Sequence, residues 1–141
     1  MQIIDLLEKR ERAIYQVYLR LQDSKRPLTL KELSQELDLS RSTLVRYVQS
    51  FCEQAEEEQL GLSFRIEGDF LLMERSPLLT KQDILSFLCR ECVKYQILLY
   101  LFDKDEFSIQ ALSQTLLISE ATLNRQLSSL NKCLRENQIS I

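Results

Sequence analysis

Few side chains in this sequence could carry covalent chemistry. The 141 residues include no histidine, which removes Ser-His and Cys-His nucleophile pairs, histidine zinc sites and any phosphohistidine within the chain. Cys89-Arg-Glu-Cys92 has the C-x-x-C spacing of redox and zinc centres. It lacks a βαβ context and a second C-x-x-C nearby, and its i, i+3 spacing shares one helical face with Leu85, Leu88 and Leu99. The pattern reads as core packing, with Cys52 and Cys133 as further small apolar side chains; a redox switch and a four-cysteine zinc site are the lesser readings. No cofactor, no metal and no enzymatic activity is expected. A different chemistry suits Arg46 with Gln49, and Asn124 with Arg125. Arg pairs bidentately with guanine, and Gln or Asn with adenine, when a helix presents them in a DNA major groove.

The elements that would hold these residues repeat. Residues 29–53, TLKELSQELDLSRSTLVRYVQSFCE, align with residues 108–132, SIQALSQTLLISEATLNRQLSSLNK, at nine identical positions. In the first copy Thr29 caps a helix and Glu32 completes a capping box. Leu30, Leu33 and Leu37 follow at helical spacing. The helix breaks at Asp38-Leu39, with Leu39 buried in the turn, and Ser40 caps a second helix with Leu44, Val48 and Phe51 inward. In the second copy Ser108 and Ser119 are the caps. Ile109, Leu112 and Leu116 face inward, Ile118 fills the turn, and Leu123, Leu127 and Leu130 form the second stripe. This is a helix-turn-helix, twice. A longer amphipathic helix precedes each copy. One carries Leu7, Ile14, Val17, Tyr18 and Leu21. The other starts after Thr80, with Asp83 at its capping-box position, and runs through Leu85, Cys92 and Phe102.

After the first copy, Leu62 to Ile66 alternates at period two, Gly68-Asp69 is a turn signal, and Phe70 to Met73 follows. That hairpin is a wing. Asn137 to Ile141 would be one strand of a second wing, and the chain reads as an N-terminal piece of a longer protein. The expected fold is mainly α: two tandem winged helix-turn-helix domains with a small β-hairpin wing, residues 1–76 and 77–141, the second cut short.

The net charge of −3 argues at first against nucleic acid, where a basic footprint is the rule. The charges are unevenly spread. Residues 1–50 hold nine basic and seven acidic side chains, residues 51–75 two and seven, and residues 76–141 seven and seven. DNA is not excluded; weak binding carried mainly by residues 1–50 is expected. With the apolar stripe inward, Ser42, Val45, Arg46 and Gln49 point outward, Arg41 sits at the helix start, and Thr43 flanks as a phosphate contact. Ala121, Thr122, Asn124, Arg125, Ser128 and Lys132 occupy the equivalent face of the second copy. Arg65 on the wing would reach phosphate or the minor groove. Glu53 and Glu120 place acidic charge at the edges of the two faces.

The run K-E-L-S-Q-E-L-D-L-S-R-S-T-L-V-R, the short wing, the linking helix and S-I-Q-A-L-S-Q-T-L-L-I-S-E-A-T-L-N-R resemble the Mga/RofA-like stand-alone virulence regulators of streptococci and relatives. The resemblance covers nearly the whole chain. It implies two winged helix-turn-helix domains on promoter DNA, with the function on Ser40–Cys52 and Ser119–Cys133. It also implies downstream domains, resembling phosphotransferase-system regulation domains and a sugar-permease EIIB-like domain, that supply histidine phosphorylation and homodimerisation. The expected function is a sequence-specific transcriptional regulator, an activator or dual regulator of virulence or sugar-linked genes, with RNA polymerase as a second partner. The alternative is a tandem winged-helix scaffold binding RNA polymerase or another regulator. No apolar run reaches the roughly 18–20 residues of a membrane span, the first eight residues do not resemble a signal peptide, and a cytoplasmic location is expected.

Overall fold

The computed structural model describes residues 6–90, 92–103 and 108–136. They form α1 (Lys9–Asp23), β1 (Leu28–Thr29), α2 (Leu30–Glu36), α3 (Arg41–Glu57), β2 (Leu62–Glu67), β3 (Phe70–Arg75), α4 (Lys81–Cys89), α5 (Val93–Asp103), α6 (Ile109–Leu116) and α7 (Glu120–Glu136). The fold is mainly α with one small antiparallel sheet, as the tandem winged helix-turn-helix reading expects. Contacts divide the chain into residues 9–87 and residues 88–141 with 1–8.

In the first unit the core is built from one face of each helix. Ile14, Val17 and Tyr18 of α1, Leu33 of α2, and Leu44, Val48, Phe51 and Ala55 of α3 are buried. Phe51 lies 5.7 Å, ring to ring, from both Phe64 on β2 and Phe87 on α4, arrangements that add to burial by the quadrupoles of the rings. The wing pairs Leu62 with Arg75 at its base and Glu67 with Phe70 at its tip. Gly68 has φ +62°, the left-handed value needed at the first position of a two-residue hairpin loop. The sheet order is β1-β3-β2. β1 is absent from the sequence-based expectation because two residues carry no period-two signal. Arg75 fastens the sheet to α1: its guanidinium donates to the Tyr18 hydroxyl at 3.0 Å, to Gln22 at 2.9 Å and to the Leu79 carbonyl at 2.6 Å.

In the second unit Leu88, Cys89, Cys92, Ile97, Leu112, Leu123, Leu130 and Leu134 are buried, together with Leu6 and Leu7. Leu7, assigned by pattern to the first long helix, instead lies ahead of α1 in this unit. The neighbouring Glu8 carboxylate accepts from the Val93 amide at 3.3 Å, satisfying a donor at the start of α5. The single helix expected beyond Thr80 is two helices. The Cys92 amide bonds to Cys89 at 3.0 Å, a tightened i−3 contact, and the Cys92 thiol donates to the Leu88 carbonyl at 3.3 Å. Both interrupt the i−4 ladder at this point. The expected second-wing strand at 137–141 lies outside the described residues.

Candidate nucleic-acid interface

The two helix-turn-helix motifs are built by matching hydrogen bonds at matching positions. Thr29 Oγ1 accepts from the Glu32 amide at 3.1 Å, and Ser108 Oγ from the Ala111 amide at 3.0 Å. Ser34 and Ser113 are buried and donate to the carbonyls of Lys31 and Gln110 at 3.0 and 2.9 Å. Ser40 Oγ accepts from the Thr43 amide, and Ser119 Oγ from the Thr122 amide, both at 3.1 Å. The same hydroxyls donate to Thr43 Oγ1 at 2.8 Å and Thr122 Oγ1 at 2.9 Å. Such caps satisfy amides that a helix N-terminus leaves open.

The turns match as well. Asp38 has φ +54° and Leu117 φ +58°. Leu39 bonds back to Ser34 at 2.9 Å and Ile118 to Ser113 at 3.1 Å, while Asp38 bonds to Gln35 and Leu117 to Gln114, both at 3.3 Å. This is the Schellman pattern, a 6→1 and a 5→2 bond around a left-handed residue. Its usual apolar residue after the left-handed position is Leu39 or Ile118. Leu39 is half-buried rather than buried as expected, because it covers the helix end and does not enter the core.

Several of the repeat's identities are thereby explained by the fold. Leu33/Leu112 and Leu44/Leu123 are fully buried, and Ser34/Ser113, Ser40/Ser119 and Thr43/Thr122 are caps or turn partners. Arg46/Arg125 is the one identity that places a charge at the same position of both motifs. Both are exposed, and neither forms an ion pair with a described residue.

The structure places the expected site residues on two helix stripes and one wing strand. On α3, Arg41, Ser42, Arg46 and Gln49 are exposed, and Thr43 and Val45 are half-buried. On α7, Ala121, Asn124, Arg125, Ser128 and Lys132 are exposed and Thr122 is half-buried. At about 100° per residue, Ser42, Val45, Arg46 and Gln49 form one stripe, and Ala121, Asn124, Arg125, Ser128 and Lys132 another. Both helices outrun the segments expected to carry function: α3 continues to Glu57 and α7 to Glu136. On α3 the added length is acidic, with Glu53, Glu56 and Glu57 exposed. On α7 it adds Arg135, exposed and on the same stripe. Arg135 lies beyond the expected functional segment Ser119–Cys133, and no cap or turn signal at Cys133 marks the helix as continuing.

The cations differ in their engagement. Arg41 reaches Asp69 at the wing tip at 3.7 Å. Arg65 is held on the wing by Glu67 at 3.3 Å and Glu74 at 3.0 Å. Arg125 donates to Thr122 Oγ1 at 3.1 Å. The Arg46 guanidinium carbon lies 5.8 Å from the centre of the Tyr47 ring, within cation–π range, and its donors make no hydrogen bond to another described residue. The thiols are poorly placed for reaction. Burial pushes both the Cys52 and Cys89 thiols up, and Cys52 sits between the Phe64 amide and carbonyl at 3.3 and 3.4 Å. Among the described residues no group of three or more His, Cys, Asp or Glu is placed to hold a metal ion, and no helix is long and apolar enough to cross a membrane.

Residues 10–54 match the family model of the HTH domain, and residues 78–141 match that of the Mga helix-turn-helix domain. No curated protein shows significant similarity to the chain. The matched segments contain the two motifs whose capping and turn hydrogen bonds correspond, and the chain carries an HTH domain followed by a segment similar to the Mga helix-turn-helix domain.

Proposed function

We propose that the chain is a sequence-specific regulator of transcription that binds double-stranded promoter DNA through α3 and α7. The observation that carries this reading is the matched pair Arg46/Arg125, an exposed arginine at the same position of both motifs, on the side of each helix away from its buried stripe. Arg41, Ser42, Thr43, Val45 and Gln49 on the first motif, and Ala121, Thr122, Asn124, Ser128 and Lys132 on the second, are the surrounding contacts. Arg65 is a contact only where phosphate displaces its two carboxylate partners. The resemblance to Mga-type regulators extends the proposal to a cytoplasmic activator of virulence or sugar-linked genes, homodimeric through domains outside this chain. The segments 1–76 and 77–141 are proposed as its two DNA-binding domains. A gel-shift titration with the region upstream of its own gene tests the reading. Replacing Arg46 and Arg125 together by Ala is expected to weaken binding at least about tenfold, since one well-placed bidentate pair is worth about 1–3 kcal/mol and a lost phosphate contact adds to that. Unchanged affinity would remove both residues from the interface. The acidic run at 51–75 favours a second reading, in which that face of the first module meets a protein such as RNA polymerase.

A further inference from the structure

The charges along α3 and α7 differ, and this bears on what each helix does. From the start of α3 the exposed stripe is basic and polar as far as Gln49. Beyond it come the exposed Glu53, Glu56 and Glu57. Carboxylates cannot lie along a phosphate backbone without repulsion, so only the first three turns of α3 can approach DNA. Within those turns Arg41 has Asp69 as a partner at 3.7 Å, while Arg46 keeps its whole guanidinium fork available beside Tyr47. A free fork suits the paired acceptors of guanine.

α7 begins with the exposed Glu120 and ends at Glu136, and between them carries the exposed cations Arg125, Lys132 and Arg135, of which Lys132 and Arg135 stand where α3 has Glu53 and Glu56. Arg125 has one donor committed to Thr122 Oγ1 at 3.1 Å, which ties its guanidinium back to the start of α7. Several exposed cations along one side of a helix supply the sequence-independent attraction to phosphate that positions a protein on a duplex.

We propose that the two modules divide the work on DNA: α3 reads bases through Arg46, and α7 holds the phosphate backbone through Arg125, Lys132 and Arg135. This rests on the DNA-binding reading above, and it assigns Arg135 a role. It also reverses the expectation that residues 1–50 carry most of the affinity.

The test uses the whole chain. Duplexes are selected by the wild-type protein from a pool of random sequence, and binding is measured to the selected site and to each of its single-base-pair variants, over a range of salt. Lys132→Gln with Arg135→Gln is expected to weaken binding to all duplexes alike and to reduce the slope of log affinity against log salt by about two. Arg46→Ala is expected to lose about tenfold or more of the discrimination at one base pair. Both α7 positions are exposed, and circular dichroism confirms folding; Arg46→Lys, which keeps charge without the fork, is the second variant on α3 and is expected to lose the same discrimination. If the α7 variants change sequence preference or leave the salt slope alone, or if Arg46→Lys discriminates as wild type does, the division is overturned while DNA binding stands. If the wild-type chain enriches no duplex, the DNA-binding reading falls with it.

Discussion

Leu117 is a residue that the fold strains for no packing return, and replacing it should stabilise the second unit. It sits at the end of α6 with φ +58° and ψ +41°, and its side chain is 90% exposed. A branched apolar residue in the left-handed region costs roughly 1–2 kcal/mol relative to the right-handed one. An exposed side chain leaves no cavity when removed, so the packing term of a core substitution is absent. Asn tolerates the left-handed region through local hydrogen bonding. Leu117→Asn should therefore recover about half of that strain, about 0.5–1 kcal/mol. Leu117→Gly should recover more strain but return part of it as unfolded-chain entropy, roughly 0.5–1 kcal/mol. The first module offers the natural comparison, since Asp38 holds the equivalent turn at φ +54°. Thermal unfolding followed by circular dichroism measures the effect. A domain of this size shifts its midpoint by about 4–8 °C per kcal/mol, so Leu117→Asn is expected to raise the second unit's transition by about 2–8 °C. A fall of several degrees would refute the reasoning and show that the Leu117 side chain is packed.

The caps give a second expectation: Ser40→Ala and Ser119→Ala should each cost about 1 kcal/mol, read as lowered midpoints, and equal stability would mean that the hydroxyl bonds to Thr43 and Thr122 contribute nothing. Phe51→Ala removes a ring that is 4% exposed and packed on Phe64 and Phe87, and should cost about 3–5 kcal/mol by denaturant titration; a loss below 1 kcal/mol contradicts the packing described. Acid should weaken the fold. The Thr80 amide holds the Asp83 carboxyl below its ordinary value, and the Arg26 and Arg20 guanidinium groups do the same for Glu32 and Glu36. Carboxyls lowered in the folded state stabilise above their unfolded values and lose that contribution as pH falls through the folded ones. Midpoints measured downward from about pH 5 should decline, and Asp83→Asn should blunt the decline; an unchanged pH profile would contradict the Thr80–Asp83 box.

Much of the helix-turn-helix was legible because its identities are the residues that make it. Ser40 and Ser119 cap, Leu44 and Leu123 fill the core, and each does so by type and spacing alone. The Gly68-Asp69 turn announced the wing in the same way. Helix ends were less legible. The chain closes α2, α3 and α6 with Asp38, Gln59 and Leu117 in the left-handed conformation, where glycine is the usual sign, so no composition cue marked where α3 stopped. The break between α4 and α5 was hidden because Leu88, Cys89 and Cys92 look like one continuous stripe. Long-range contacts left no local trace at all. Glu8 at the start of α5, β1 against β3, and Arg75 against Tyr18 join residues far apart in sequence. For the interface, the exposed stripes followed from periodicity. The engagement of Arg41 and Arg65 by wing carboxylates did not, since it depends on where the hairpin places Glu67, Asp69 and Glu74.

The central claim is that two helix-turn-helix modules with a net acidic charge bind duplex DNA through a few well-placed cations. Its most direct test is a fluorescence-anisotropy titration of the chain with its upstream DNA across a range of salt. The account predicts saturable binding whose log affinity falls linearly with log salt, with a slope close to the number of phosphates contacted. An affinity that does not change with salt, or no binding at low salt, would contradict it.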